Sequence, residues 1–108
     1  MAKIETYREF WPYYLREHEK RETRALHFLG TALAIALFAA AAYYREWTFV
    51  FGAVISGYLF AWIGHFFVER NRPATFTYPL WSLISDFRMF FTFLAGRLER
   101  EYRRHGLQ

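Results

Sequence analysis

Two stretches without a single Asp, Glu, Lys or Arg dominate this chain: Leu26–Tyr44, 19 residues, and Trp47–Val68, 22 residues. Only Arg45 and Glu46 separate them. A helix needs about 20 apolar residues to cross the hydrocarbon layer of a bilayer, and both runs meet that length. The polar tip is enough to reverse one helix into an antiparallel partner. Burying both runs in a soluble bundle would demand a polar shell that 108 residues cannot supply. The expectation is an all-α fold, a small integral membrane helical bundle, with two transmembrane helices over 26–44 and 47–68 forming a hairpin. Hydrophobic residues reach 55% and aromatics 23%, and the two ends and one turn carry almost all of the charge.

The flanks complete a single membrane domain over 1–108. In residues 3–24, Ile4, Tyr7, Trp11, Tyr14 and Leu15 recur at three- and four-residue steps, predicting an amphipathic helix at an interface. His18 continues that stripe, and Pro12 either starts the main turn or kinks it. Asn71-Arg72-Pro73 ends the second span. Residues 80–98 are apolar again but hold Asp86 and Arg88, which predicts a third helical segment lying in one leaflet or re-entrant as two half-membrane helices. The tail, 99–108, reads as a solvated basic helix, with His105 in water. Phe66, Phe67, Phe90, Phe91 and Phe93 read as core packing, with an acyl-chain slot as their other use.

Orientation follows from the Lys and Arg count: six up to Arg24, one at the tip, two in the 69–72 turn and four from Arg97 onward. The positive-inside rule then puts both termini in the cytoplasm. The membrane is the cytoplasmic one in a bacterium and the endoplasmic reticulum in a eukaryote. No cleavable signal peptide is expected, because the first apolar run starts behind a leader rich in Glu as well as Arg. With zero cysteines, disulfides, thiolate nucleophiles and Cys-ligated zinc or iron–sulfur clusters are excluded. The net charge of +4 lies beside the apolar runs, where anionic lipid headgroups would be, and predicts a lipid partner and no nucleic acid.

The histidines carry the chemistry. His27 lies 18 residues before Arg45 and His65 lies 19 after Glu46. At about 1.5 Å rise per residue, an antiparallel pair brings both rings to one level at the cytoplasmic edge. The small-residue stripes His27, Gly30, Ala34, Ala41 and Ala53, Gly57, Ala61, His65 allow close approach, within one chain or as the seam of a homo-oligomer. His18, His27 and His65 fall on apolar faces of three neighbouring elements, where an imidazole is costly unless it is used. Glu69 or Asp86 can add a carboxylate, although Glu69 has Arg70 and Arg72 beside it as ordinary ion-pair partners. Two or three imidazoles with a carboxylate and open positions suit non-haem Fe(II) oxygenases, and hydrolytic zinc as well. Arg24, Arg72 and Arg88 are candidates to hold a substrate carboxylate, each with lipid headgroups as its alternative.

The segments YLREHEKRETRALHFLG (residues 14–30), AWIGHFFVERNRPATF (61–76) and PLWSLISDFRMF (79–90) resemble the Mpo-type 2-hydroxy fatty acid dioxygenases, a family of small membrane proteins once filed as a domain of unknown function. The likeness rests on Gly64, His65, Glu69 and Pro73 and on the His18–His27 pair. It implies Fe(2+)-dependent α-oxidation, in which O2 cleaves a 2-hydroxy fatty acid to an acid one carbon shorter. The family's iron-holding histidines map onto His18, His27 and His65.

Overall fold

The structure is a computed structural model that describes residues 3–107. Its described residues form helices and no strands: α1 (Tyr7–Arg16), α2 (Arg21–Tyr44), α3 (Thr48–Ile63), α4 (Pro79–Leu94) and α5 (Leu98–Arg104). A π-helical turn, Gly64–Glu69, extends α3, and a short 3-10 turn, Ala74–Phe76, precedes α4.

The two long helices are the hairpin expected from the charge-free runs. At 24 residues α2 is about 36 Å long, enough to cross a hydrocarbon layer of about 30 Å. Counted to Glu69, the second member has 22 residues and also qualifies. Arg45 closes α2 in the left-handed region (φ 54°), and its N–H bonds the Ala41 carbonyl, so the reversal takes only a few residues. Only 22% of the most apolar window of either helix is buried. A core helix of a soluble protein would bury most of it. Instead Leu29, Leu33, Phe51, Ile55 and Leu59 are exposed on the outer faces.

The hairpin is held by backbone proximity. A Cβ at Gly30 would meet Ser56 O at 3.0 Å and Phe60 Cβ at 3.1 Å, so α2 and α3 touch there almost backbone to backbone. Gly57, in the facing stripe, has open space instead.

The apolar core lies beside the hairpin, between α1, α4 and α5. Phe10, Tyr14, Leu15, Met89 and Tyr102 are completely or almost completely buried there. Thr6 caps α1, accepting from Glu9 N–H while its hydroxyl donates to the Glu9 carboxylate. Three sequence expectations need revising. The helix predicted over 3–24 is interrupted at residues 17–20, because the chain must turn from α1 into the hairpin. The tail is not a free solvated helix: Leu98 and Tyr102 of α5 are buried, and Trp11 Nε1 donates to Glu101 at 2.9 Å. Phe66, Phe67, Phe91 and Phe93 are exposed outward rather than packed in a core.

Substituting Gly30→Ala should destabilise the protein by about 1–3 kcal/mol, because the new methyl has backbone on two sides. Gly57→Ala should be neutral or stabilising by up to about 1 kcal/mol, the helix-propensity gain without a clash. Thermal unfolding of both variants in detergent checks this contrast.

Candidate metal centre

Three elements each bring one histidine to the same point. His18 sits in the break between α1 and α2, with its ring 4.1 Å from the Tyr14 ring. That break is fixed from outside: the Tyr102 hydroxyl of α5 donates to the His18 carbonyl at 2.6 Å and lies 3.0 Å from the Leu15 carbonyl. His27 is on the second turn of α2. His65 is the second residue of the π-helical turn, a distortion that recurs at functional sites. Close approach of α2 and the π-helical turn depends on Gly64, where a Cβ would lie 3.0 Å from Thr23 Cγ2 and 3.4 Å from Thr23 Cα. Thr23 is one turn before His27, and Gly64 immediately precedes His65. Their contact therefore sets the spacing of the two rings.

The rings are buried, with 1%, 4% and 3% exposure for His18, His27 and His65. Their centroids are 4.4 Å (18 to 27), 4.5 Å (18 to 65) and 5.0 Å (27 to 65) apart, with interplanar angles of 90°, 75° and 86°. One donor atom from each lies within 4.8 Å of the others.

Each ring's other nitrogen is already committed. His18 Nδ1 lies 2.6 Å from the Tyr14 carbonyl and His27 Nδ1 lies 3.1 Å from the Thr23 carbonyl. A carbonyl can only accept, so both Nδ1 atoms carry the hydrogen. His65 Nδ1 lies 2.7 Å from Asn71 Oδ1. The amide orientation follows from its other end, since Asn71 Nδ2 donates to the Glu17 carbonyl at 3.1 Å and to the Glu17 carboxylate at 3.3 Å. All three neutral imidazoles therefore present a bare Nε2. His18 Nε2 and His27 Nε2 lie 3.0 Å apart, so with both rings neutral and protonated at Nδ1 their lone pairs face one another. Burial, and then the neighbouring His27 and His65, push His18 well below the usual histidine range, which keeps it in this neutral, electron-donating form.

Asn71 reaches His65 through a sharp reversal. Arg70 adopts the left-handed conformation (φ 61°), and the His65 carbonyl accepts from Arg70 N–H and, at 2.8 Å, from Asn71 N–H. In the sequence Asn71 reads only as part of a helix stop; the left-handed conformation of Arg70 that delivers its amide to His65 shows only in the structure.

The remaining candidates sit in different places. Asp86 lines a cavity of about 20 Å³ together with His18, His27 and His65, and it accepts from the Tyr14 hydroxyl at 2.5 Å. Burial raises its carboxyl to about 7, against the stabilising bond from Tyr14. Glu69 faces the start of α2, accepting from Lys20 N–H at 2.6 Å while Lys20 Nζ bonds the Val68 carbonyl at 3.0 Å. That carboxylate ties the π-helical turn to the positive end of α2 rather than turning to the rings. Arg24 is buried, its guanidinium 4.4 Å over the Tyr102 ring and 3.4 Å from the His18 carbonyl, so it braces the break. Arg88 lies 4.0 Å over Trp11 and pairs with Glu101 at 3.8 Å, on the α4–α5 side. Arg72 is exposed, 5.2 Å over Phe76, on an open cleft that also includes Asn71. Neither Arg72 nor Arg88 lines the histidine cavity.

Neither a curated protein nor a solved structure matches the chain. A family model does, that of the 2-hydroxy-palmitic acid dioxygenase Mpo1-like proteins, over residues 4–98, which takes in all three histidines, Asn71 and Asp86. With nearly its whole length matched, the chain belongs to the Mpo1-like family.

Proposed function

We propose that the protein is an Fe(2+)-dependent dioxygenase that shortens 2-hydroxy fatty acids by one carbon at a membrane interface. The observation that carries this reading is the inward convergence of His18, His27 and His65 with every Nδ1 engaged by an acceptor. A buried pair of facing lone pairs is unfavourable by itself, and a shared cation is what relieves it. The 3.0 Å separation of the His18 and His27 donors equals that of two donors at right angles on an ion with bonds of about 2.1 Å. The widest donor spacing, up to 4.8 Å, has to close a little on loading, since two such bonds reach at most about 4.2 Å.

The chain's own residues hold and tune this set. The Tyr14 and Thr23 carbonyls and the Asn71 amide fix each ring's tautomer and plane, the role that outer hydrogen-bond partners play at metal sites. Asp86, held by Tyr14 beside the rings, is the carboxylate within the cavity. Iron(2+) would supply the one-electron chemistry that lets O2 react with an organic substrate and leaves open positions for a hydroxyl and a carboxylate. The family description, a 2-hydroxy-palmitic acid dioxygenase, supports that substrate class.

A second reading has its own observation. The converging donors are three histidines without a carboxylate, a set also used by zinc, so a structural or hydrolytic zinc site is the alternative. Metal analysis separates the two. Detergent-purified protein should hold about one iron per chain, lost in His18→Ala, His27→Ala and His65→Ala. Asn71→Leu should weaken metal binding by about 10–100-fold without unfolding the protein, and Glu69→Gln should not. Wild-type protein should consume 2-hydroxyhexadecanoic acid with uptake of O2. Stoichiometric zinc without oxygen dependence would establish the alternative.

The membrane placement rests on the exposed outer faces of α2 and α3 and on an inverted α4. That helix buries Ser82 and Ser85 along with Met89, while Leu80, Leu83, Ile84, Phe91 and Leu94 are exposed. Such a helix suits a position in the leaflet rather than in water. With both termini cytoplasmic, reporters fused at either end should read cytoplasmic and one inserted at Arg45-Glu46 should read the opposite side. Opposite readings at the two ends would show that α4 crosses the bilayer.

A further inference from the structure

The histidine cavity has a neighbour. Between α2, α3 and α4 runs a groove of about 360 Å³, within the range of sites that hold small molecules. α4 packs on α2 and on the 3-10 turn more than on α3, which leaves the gap. Thr31, Ala34 and Phe38 of α2 form its floor, with Ala53, Val54 and Gly57 along the α3 side. His27, Tyr58 and Asp86 line both the groove and the histidine cavity, so the two spaces are adjacent and share these side chains as a common wall. The groove opens sideways, where Phe38, Val54 and Leu83 are 43%, 47% and 46% exposed.

One polar group in the inner cavity has no explanation within the protein. Ser82 is 4% exposed and its hydroxyl has no hydrogen-bond partner. It lines the cavity with the three histidines, one turn before Asp86 on α4. Buried hydroxyls are nearly always paired, and an orphan beside a cavity signals an occupant.

We propose that the two spaces form one substrate site for a single-chain amphiphile. Its oxygen-bearing head accepts a hydrogen bond from Ser82 beside the histidines, and its hydrocarbon tail lies in the α2–α3–α4 groove. This rests on the 2-hydroxy fatty acid reading above. The groove is open at Gly57, where a Cβ would meet nothing within 4 Å, so a large side chain placed there would take up space meant for the tail. Gly57 is thus the position that sets how long a tail is accepted, and Ser82 is a positioning residue for the head.

The test compares binding of 16-carbon and 8-carbon 2-hydroxy acids, and of plain hexadecanoic acid, to full-length protein in detergent, with metal content and thermal stability measured in parallel. Gly57→Leu should weaken 16-carbon binding by about tenfold or more, as expected when about two buried methylenes are expelled, and spare the 8-carbon acid. Ser82→Ala should weaken both 2-hydroxy acids alike at unchanged metal content and with no loss of stability. If Gly57→Leu fails to fold, Val54→Trp at the rim carries the same chain-length expectation. Equal effects of Gly57→Leu on both lengths, or unchanged affinity in Ser82→Ala, would overturn the proposal. Hexadecanoic acid, which lacks the 2-hydroxyl, should bind the groove without being consumed; chain-length selection in a protein that takes up no iron would overturn the dioxygenase reading and leave the groove intact.

Discussion

Three hydrogen bonds that point away from the centre govern what the centre can be. Each histidine spends its Nδ1–H on an oxygen held by its own local backbone or by Asn71, and the geometry leaves three Nε2 lone pairs directed inward. None of the outward bonds is a long-range accident. Two are to carbonyls four residues earlier, and the third is to the side-chain oxygen of an amide delivered by a left-handed turn six residues later. The burial that makes an ionised imidazole costly also keeps His18 neutral, so the cluster is electron-rich and unsatisfied. Much of the remaining architecture serves to bring these rings to one place.

Two kinds of packing do that. The hairpin uses absence of side chains: Gly30 brings α2 onto α3, and Gly64 lets the π-helical turn press on Thr23. The third ring is positioned by a conventional aromatic core, in which Tyr102 and Arg24 hold the carbonyl of His18 and so the break in which it sits. The core of α1, α4 and α5 is therefore a clamp on the third ring as much as a source of stability. Glu69 adds a tie between the far end of the hairpin's second arm and the start of its first.

The hairpin and the meeting of His27 with His65 were legible in the sequence because helix rise is constant: equal residue counts on either side of a short tip give equal heights. The apolar stripe on the leader likewise placed His18 on a buried face. Asn71, the π-helical turn and the break at 17–20 were not legible, because each is imposed by contacts between segments distant in the chain. Tyr102 illustrates the same limit. Surrounded by arginines it reads as part of a solvated tail, yet it is 1% exposed, since Tyr102 and Leu98 together dock a helix whose other faces are charged. The sequence does not show what the arginines touch: Arg24 lies over Tyr102 and Arg88 over Trp11, contacts made between segments far apart in the chain.

The tautomers offer the most direct check on this account. In metal-free protein labelled with ¹⁵N at histidine, the spectra should show His18, His27 and His65 as neutral rings protonated at Nδ1, and adding Fe(2+) or Zn(2+) should perturb all three Nε2 resonances together. Protonation at Nε2 in two or more of these rings, or a metal response confined to one of them, would contradict a shared centre.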